Sequence, residues 1–153
     1  MRLLHSNFKT REPREPFNLM KQNGVWYRNW FGQYISLDYS LPVTHISYYE
    51  AEAYARWMNA RLPTETEYEY MLTNGGETEW PWGNDTNTSK YCNSNYQNTD
   101  IVPVGRYKQF ADKWGVEDLM GNNWTWTSTR FYPYDGFSID PIYDTFSYPF
   151  FYD

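Results

Sequence analysis

The chain has 153 residues, a formal net charge of −6 and 22% aromatic residues, among them 16 tyrosines and 8 tryptophans. This length matches one domain, and a single cysteine, Cys92, excludes a module stapled by an intramolecular disulfide. The acidic balance argues against a nucleic-acid surface, and no apolar run approaches a signal peptide or a membrane span. We therefore expect one soluble, cytoplasmic domain over residues 1–153, with neither nucleic acid nor membrane as a partner.

The first third of the chain predicts a lead-in followed by a hairpin. Residues 1–18 are polar and interrupted by Pro13 and Pro16, which favours an extended segment. The turn dipeptide Asn23-Gly24 then precedes VWYRNWF, in which aromatic and polar residues mix as they do in strands. This pattern predicts a β-hairpin near residues 25–36.

A first helix is predicted by the capping box that Ser47 and Glu50 form three residues apart. We expect it to run to about Ala60. The residues that recur at helical spacing should form its buried face, and they are Ala51, Tyr54, Ala55 and Met58.

A second helix is predicted after Pro63, which disfavours helical backbone at the residue before it. Thr64 with Glu67 forms its capping box, and Thr66 with Glu69 is an overlapping alternative. The helix should end near Asn74-Gly75-Gly76, a strong C-cap signal. A buried polar network that joins this helix to the core is a further interpretation, and its members would be Arg61, Glu65 and Glu69.

The remainder of the chain predicts loops and two short strands. Residues 75–100 lack periodicity and are too long for a simple connection, so they are either functional or locally organised. The apolar run at 101–107 and the alternation in WTWTSTRFY at 124–132 each favour a strand. On the second strand, we expect Trp124 and Trp126 to share one face and pack in the core, with ligand contact as the alternative.

Four motifs carry a resemblance to a known family. They are PVTHISYYEAEAYARW, RLPTETEYE, GNNWTWT and YPYDGF. This pattern resembles the formylglycine-generating-enzyme-type (sulfatase-modifying-factor) domain over about residues 14–153. YPYDGF after WTWT is most similar to the C-terminal domain of iron-dependent sulfoxide synthases, which make ergothioneine and ovothiol. The resemblance implies an α+β, C-type-lectin-like fold with two helices, short strands and long irregular loops.

The resemblance also implies a reaction and residues that serve it. Sulfoxide synthases join a cysteine thiol to a histidine-type imidazole with dioxygen. In them a tyrosine of this domain lies near the iron and donates a proton or hydrogen atom, which here implies Tyr132 and Tyr134 as catalytic residues. Trp124 and Phe137 are the implied substrate-binding residues. The alternative for either tyrosine is an aromatic core position with a satisfied hydroxyl.

Departures from the family pattern limit what this chain holds by itself. Complete members carry three iron-binding histidines on an N-terminal helical domain, whereas this chain has only His5 and His45. We therefore expect no metal ligand in this chain, and iron(II) supplied by a separate helical domain or chain. Members also continue beyond the position of Asp153, so we expect the domain to be incomplete at its C-terminus. Asn123 replaces the usual apolar residue before the first tryptophan, and Thr125 replaces the usual acidic or amide residue between the tryptophans. Both changes argue against a calcium site in this region.

Two other hypotheses remain open from the residues alone. One is a non-catalytic binding module on the same fold, with residues 75–100 and the aromatic tail as its recognition surface. The other is an inert remnant of a truncated gene. Within the sulfoxide synthase hypothesis, the thiol substrate is cysteine or a γ-glutamyl dipeptide, and the imidazole is histidine or its trimethylated form.

Overall fold

The computed structural model describes residues 18–138 and 140–142, and the lead-in, His5 and the end of the aromatic tail lie outside them. Three strands and two helices alternate with long loops, which confirms the α+β prediction. No helix in these two ranges is long and apolar enough to cross a bilayer. The elements are β1 (Leu19–Gln22), β2 (Val25–Trp30), β3 (Gln33–Ser36), α1 (Tyr48–Trp57) and α2 (Glu65–Leu72).

The three strands form one antiparallel sheet in the order β1-β2-β3. Each connection is a two-residue turn with positive φ at both positions: Asn23 at 51° and Gly24 at 82°, then Phe31 at 47° and Gly32 at 82°. Such turns match the right-handed twist of the strands that they join. The hairpin predicted near residues 25–36 is confirmed, and β1 adds a third strand that was not predicted.

Helix α1 begins as its capping box predicts. The Ser47 hydroxyl accepts from the Glu50 backbone N–H, and the Glu50 carboxylate accepts from the Ser47 N–H at 2.7 Å. Ala55 is buried, but the prediction for Tyr54 and Met58 is wrong, since both are mostly exposed. In the part of the chain that the structure describes, the packing contacts between regular elements are chiefly those between adjacent strands, so no strand covers this face of α1.

Helix α2 uses the Thr64–Glu67 capping box, so the overlapping Thr66–Glu69 alternative is wrong. The helix ends just before Asn74, a buried residue with φ of 51°. The Asn74 amide donates to Thr78 Oγ1 and to the carbonyl of Pro81, both at 2.9 Å, and its Oδ1 accepts from the backbone N–H of Lys113. One side chain therefore ties the end of α2 to two later loops.

Residues 75–100 are locally organised around aromatic rings. Trp80 stacks on Trp82, and Trp82 stacks on Tyr91 with 5.0 Å between ring centroids. Phe110 meets Tyr91 edge to face at 4.8 Å. Rings with polar edges thus build much of this loop, as the aromatic composition suggests.

Both strands predicted in the second half are absent. Residues 101–107 form turns that lead into a short 3-10 helix, Lys108–Phe110. Residues 124–132 form no strand ladder. In both places the backbone bonds to loop residues rather than to a neighbouring strand: the Val104 N–H donates to the Ser40 carbonyl at 2.9 Å, and the Ser128 N–H donates to the Pro63 carbonyl at 2.7 Å.

Candidate functional site

A cleft of about 1110 Å³ opens between the hairpin and the loops that precede the helices. Its walls come from five segments that are distant in sequence, so only the tertiary fold assembles it. Aromatic and polar side chains mix along it. The lining residues include Arg28, Trp30 and Phe31 from the hairpin, His45 and Ile46 before α1, Pro63 before α2, Asp100, and residues 123–126.

One wall of this cleft carries an ion pair between Arg28 of β2 and Asp100. The Arg28 Nη2 donates to Asp100 Oδ2, and Nη1 lies 3.4 Å from Oδ1. Both side chains are partly buried. The guanidinium hydrogen bond is the main reason that the pKa of Asp100 lies below its usual range. The wall therefore presents a fixed pair of opposite charges.

Trp124 lines the cleft, and the residue is 98% exposed. The prediction that Trp124 and Trp126 pack in the core is wrong. Asn123 Nδ2 donates to the Val43 carbonyl at 3.0 Å, and Trp126 Nε1 donates to the Ile46 carbonyl at 3.1 Å. These bonds hold the segment along the chain before α1 and leave the Trp124 indole open to the cleft.

The other three predicted site residues lie beyond the cleft, near the start of α2. Tyr132 and Phe137 are exposed, and Tyr134 is 76% exposed. Phe137 N–H donates to the Tyr134 carbonyl at 3.0 Å, which closes a turn. The Tyr134 hydroxyl donates to Glu65 Oε1 at 2.7 Å. None of these three residues lines the cleft, so the structure separates Trp124 from them.

Glu65 is the partner of Tyr134 that sequence reasoning missed. The predicted buried network of Arg61, Glu65 and Glu69 is wrong, because Arg61 pairs with Glu67 instead, at 2.7 and 2.6 Å, on the exposed surface. The pKa of Tyr134 is raised, chiefly because its phenol donates to the Glu65 carboxylate, whose charge also disfavours the phenolate. The only sequence feature that pointed to Glu65 was the cluster of glutamates in the first turns of α2. That cluster does not show that Glu65 would contact Tyr134, which lies 69 residues later.

Two further residues of the sequence analysis have structural roles. Asn122 has a φ of 60°, and its side chain bonds both backbone groups of Val102. Cys92 is a free thiol, and it is buried at 3% exposure. Burial is the largest reason that its pKa is raised.

No convergent metal site lies among residues 18–138 and 140–142, since no three His, Cys, Asp or Glu side chains there are grouped closely enough. His45 has left-handed backbone with φ of 60°, and its Nδ1 lies 3.0 Å from Thr44 Oγ1. This contact gives the His45 ring a hydrogen-bonding partner in the segment before α1.

Comparisons with known proteins find similarity over most of the chain. Residues 10–147 match the family of Sulfatase-modifying factor enzyme 1-like domains. The hercynine oxygenase of Mycobacterium tuberculosis is 39% identical over 134 residues, which is 85% of this chain and 31% of that protein. The formylglycine-generating enzyme of the same organism is 37% identical over 113 residues, 65% of this chain and 36% of that enzyme. The inactive C-alpha-formylglycine-generating enzyme 2 of Mus musculus is 34% identical over 104 residues, 61% of this chain and 33% of that protein. The chain thus spans about a third of the length of these relatives.

Proposed function

We propose, because the chain belongs to the family of Sulfatase-modifying factor enzyme 1-like domains, that it forms part of a non-haem iron-dependent sulfoxide synthase. The similarity to hercynine oxygenases, which extends over 85% of the chain in one relative, carries this proposal. The reaction joins a cysteine thiol to the carbon of a histidine-derived imidazole in ergothioneine or ovothiol biosynthesis. The thiol S–H and imidazole C–H are lost, one atom of dioxygen becomes the sulfoxide oxygen, and the other leaves as water. The proposal includes a cytoplasmic location.

The described residues do not fit an iron site, because they contain no convergent group of His, Cys, Asp or Glu side chains. A redox-active metal ion in such a reaction needs several protein ligands with open positions for substrate. We therefore assign iron(II) to a separate helical domain or chain. This chain then supplies the substrate-side wall and a tyrosine.

The predicted residues lie at two separate places, Trp124 in the cleft and the other three near the start of α2, and each has one proposed role. Tyr134 donates a proton or hydrogen atom to the reacting atoms, and Tyr132 is the second candidate for that role. The open indole of Trp124 offers a flat face on which an imidazole ring can stack. Phe137, which follows Tyr134 in the same turn, adds apolar contact with the substrate.

The experiment combines the purified chain with a separately expressed helical iron-binding domain, Fe(II) and dioxygen. Cysteine or γ-glutamylcysteine is offered with histidine or its trimethylated form, and mass spectrometry detects the sulfoxide. Product and oxygen consumption should require both polypeptides. Tyr134→Phe and Tyr132→Phe test the two tyrosines, and Tyr96→Phe, at a 99% exposed position outside the proposed site, is the matched control. Absence of product from all four substrate pairs would contradict the proposal.

A second candidate is a non-catalytic binding module. The observation that favours it is the open cleft with an almost fully exposed Trp124. This candidate is tested by titrating the chain alone with the thiols and imidazoles while tryptophan fluorescence is monitored. Saturable binding that Trp124→Ala removes, without turnover in the combined assay, would favour this candidate. Changes within residues 85–99 test whether the loop also contributes to recognition.

A further inference from the structure

We infer that Glu65 is the positioning residue for Tyr134: its carboxylate accepts the hydroxyl hydrogen and thereby holds the phenol ring and oxygen at the N-terminus of α2. The inference rests on the proposed function, in which Tyr134 is a proton or hydrogen-atom donor. Its structural basis is the 2.7 Å hydrogen bond from the Tyr134 hydroxyl to Glu65 Oε1. A phenol hydroxyl has a single hydrogen, which this bond directs to Glu65, so what the contact fixes is the place of the phenol ring and oxygen. When Tyr134 donates, its hydroxyl turns from Glu65 to the reacting atom, which must lie within hydrogen-bond reach of that fixed oxygen.

Glu65 can orient the phenol because it is itself fixed. It is the first residue of α2, directly after the Thr64 cap, so its backbone belongs to a capped helix. Its N–H donates to Thr129 Oγ1 at 2.9 Å. Just before that contact, Ser128 donates to the Pro63 carbonyl from its backbone N–H at 2.7 Å and from its hydroxyl at 3.2 Å. The segment from Ser128 to Tyr134 is therefore attached to the start of α2 at its beginning and at Tyr134 itself.

The role belongs to Glu65 rather than to the other acidic side chains of the helix. Glu67 accepts from Arg61 and from the backbone N–H of Thr64, so its carboxylate is engaged in the capping box and an ion pair. Glu69 influences Tyr134 only through its charge and as the smallest of the contributions. Glu65 takes no part in the capping box or in the ion pair, and its carboxylate reaches the phenol directly.

The hydrogen bond also affects the protonation of Tyr134. A carboxylate accepts from a neutral phenol and repels a phenolate, and the Glu65 hydrogen bond and charge raise the pKa of Tyr134. Glu65 and Glu69 of α2 are the charged groups that contribute, and both act in the same direction. Tyr134 therefore keeps its proton to higher pH than an ordinary tyrosine.

The test is an NMR titration of the full chain labelled with ¹³Cζ-tyrosine, with Tyr134→Phe used to assign the Tyr134 resonance. Glu65→Gln preserves the size of the side chain and removes the charge. It should lower the midpoint at which Tyr134 ionises. Glu69→Gln removes an equal charge from the same helix without breaking the hydrogen bond, and it should lower the midpoint less. An unchanged midpoint in Glu65→Gln, or a larger change in Glu69→Gln, would overturn the inference.

This titration needs no turnover, so it separates the inference from the proposed function. In the combined sulfoxide synthase assay, Glu65→Gln should reduce kcat and move the alkaline limb of the pH profile to lower pH, while KM changes less. If the titration succeeds but Tyr134→Phe retains full turnover, the contact stands and the catalytic role of Tyr134 fails. If the titration shows no effect while Tyr134→Phe is inactive, Glu65 is not the positioning residue.

Discussion

The side chain of Asn122 satisfies both backbone polar groups of Val102. Its Oδ1 accepts from the Val102 N–H at 2.8 Å, and its Nδ2 donates to the Val102 carbonyl at 3.0 Å. An amide side chain thus replaces the strand partner that the apolar run at 101–107 suggests. Val102 is buried, so these two backbone groups are screened from water and need partners within the protein.

Replacement of Asn122 by Ala should destabilise the fold strongly. The change leaves the Val102 N–H and carbonyl without partners, and Ala at a φ of 60° adds backbone strain. We expect a loss of about 2 to 6 kcal/mol from the two groups, since each unsatisfied buried group costs about 1 to 3 kcal/mol, and the left-handed strain adds to this loss. Urea unfolding followed by tryptophan fluorescence measures it. Asn123→Ala, which removes one exposed hydrogen bond, is the control and should cost under about 1 kcal/mol.

Gly121 should tolerate no side chain. A Cβ there would lie 2.6 Å from the Asn93 carbonyl oxygen and 3.2 Å from the Cys92 sulfur, and the residue has φ of 75°. Gly121→Ala should therefore cost about 2 to 4 kcal/mol through the clash and left-handed strain together. Gly32→Ala is matched in φ, at 82°, but meets nothing within 4 Å. It should cost only the strain, about 1 to 2 kcal/mol, and equal losses in the two unfolding curves would contradict the predicted clash.

The Arg61–Glu67 ion pair should make the free energy of unfolding decrease in acid. The hydrogen bonds from Arg61, then from the backbone of Thr64, lower the pKa of Glu67 from 4.5 to about 2 in the folded chain. Because the folded pKa lies below the unfolded value, the contribution is present above about pH 4.5 and is lost as pH falls toward 2.

Thermal melts of the chain and two variants between pH 7 and pH 2 check this. Glu67→Gln keeps an amide that can serve the capping box but removes the titrating group, so it should flatten the acid part of the profile. Arg61→Gln removes the main cause of the lowered pKa, so the folded pKa of Glu67 should lie closer to 4.5, and the acid decline in stability should be smaller and end at higher pH. Identical profiles for all three chains would count against the ion pair.

The Cys92 thiol should react slowly in the folded chain. It is buried, and burial is the largest cause of its raised pKa, with the nearby charge of Asp118 acting in the same direction. Little thiolate is therefore present or accessible near neutral pH. Reaction with a chromogenic disulfide should be slow in buffer and fast in urea. Gly121→Ala, which crowds the sulfur, should accelerate it in buffer if the clash opens this part of the core.

The local features of this fold could be predicted because their causes lie within a few residues. Ser47–Glu50 and Thr64–Glu67 form their capping boxes by contacts three residues apart, and Asn23-Gly24 makes its turn by its own backbone preference. Burial could not be predicted in the same way. Helical spacing places Tyr54 and Ala55 on the same predicted buried face of α1, but only Ala55 is buried in the structure. Whether a face is buried depends on which distant segments reach it.

The sequence by itself determined the family, the two helix starts and the hairpin, because motifs and caps are short-range patterns. Only the tertiary structure decided that Trp124 opens to a cleft, that Arg61 pairs with Glu67, and that Tyr134 meets Glu65. The last contact spans 69 residues and depends on how the loop after Thr129 attaches to the start of α2. Sequence periodicity does not predict such a contact, because the contact results from hydrogen bonds that form only once the chain has folded.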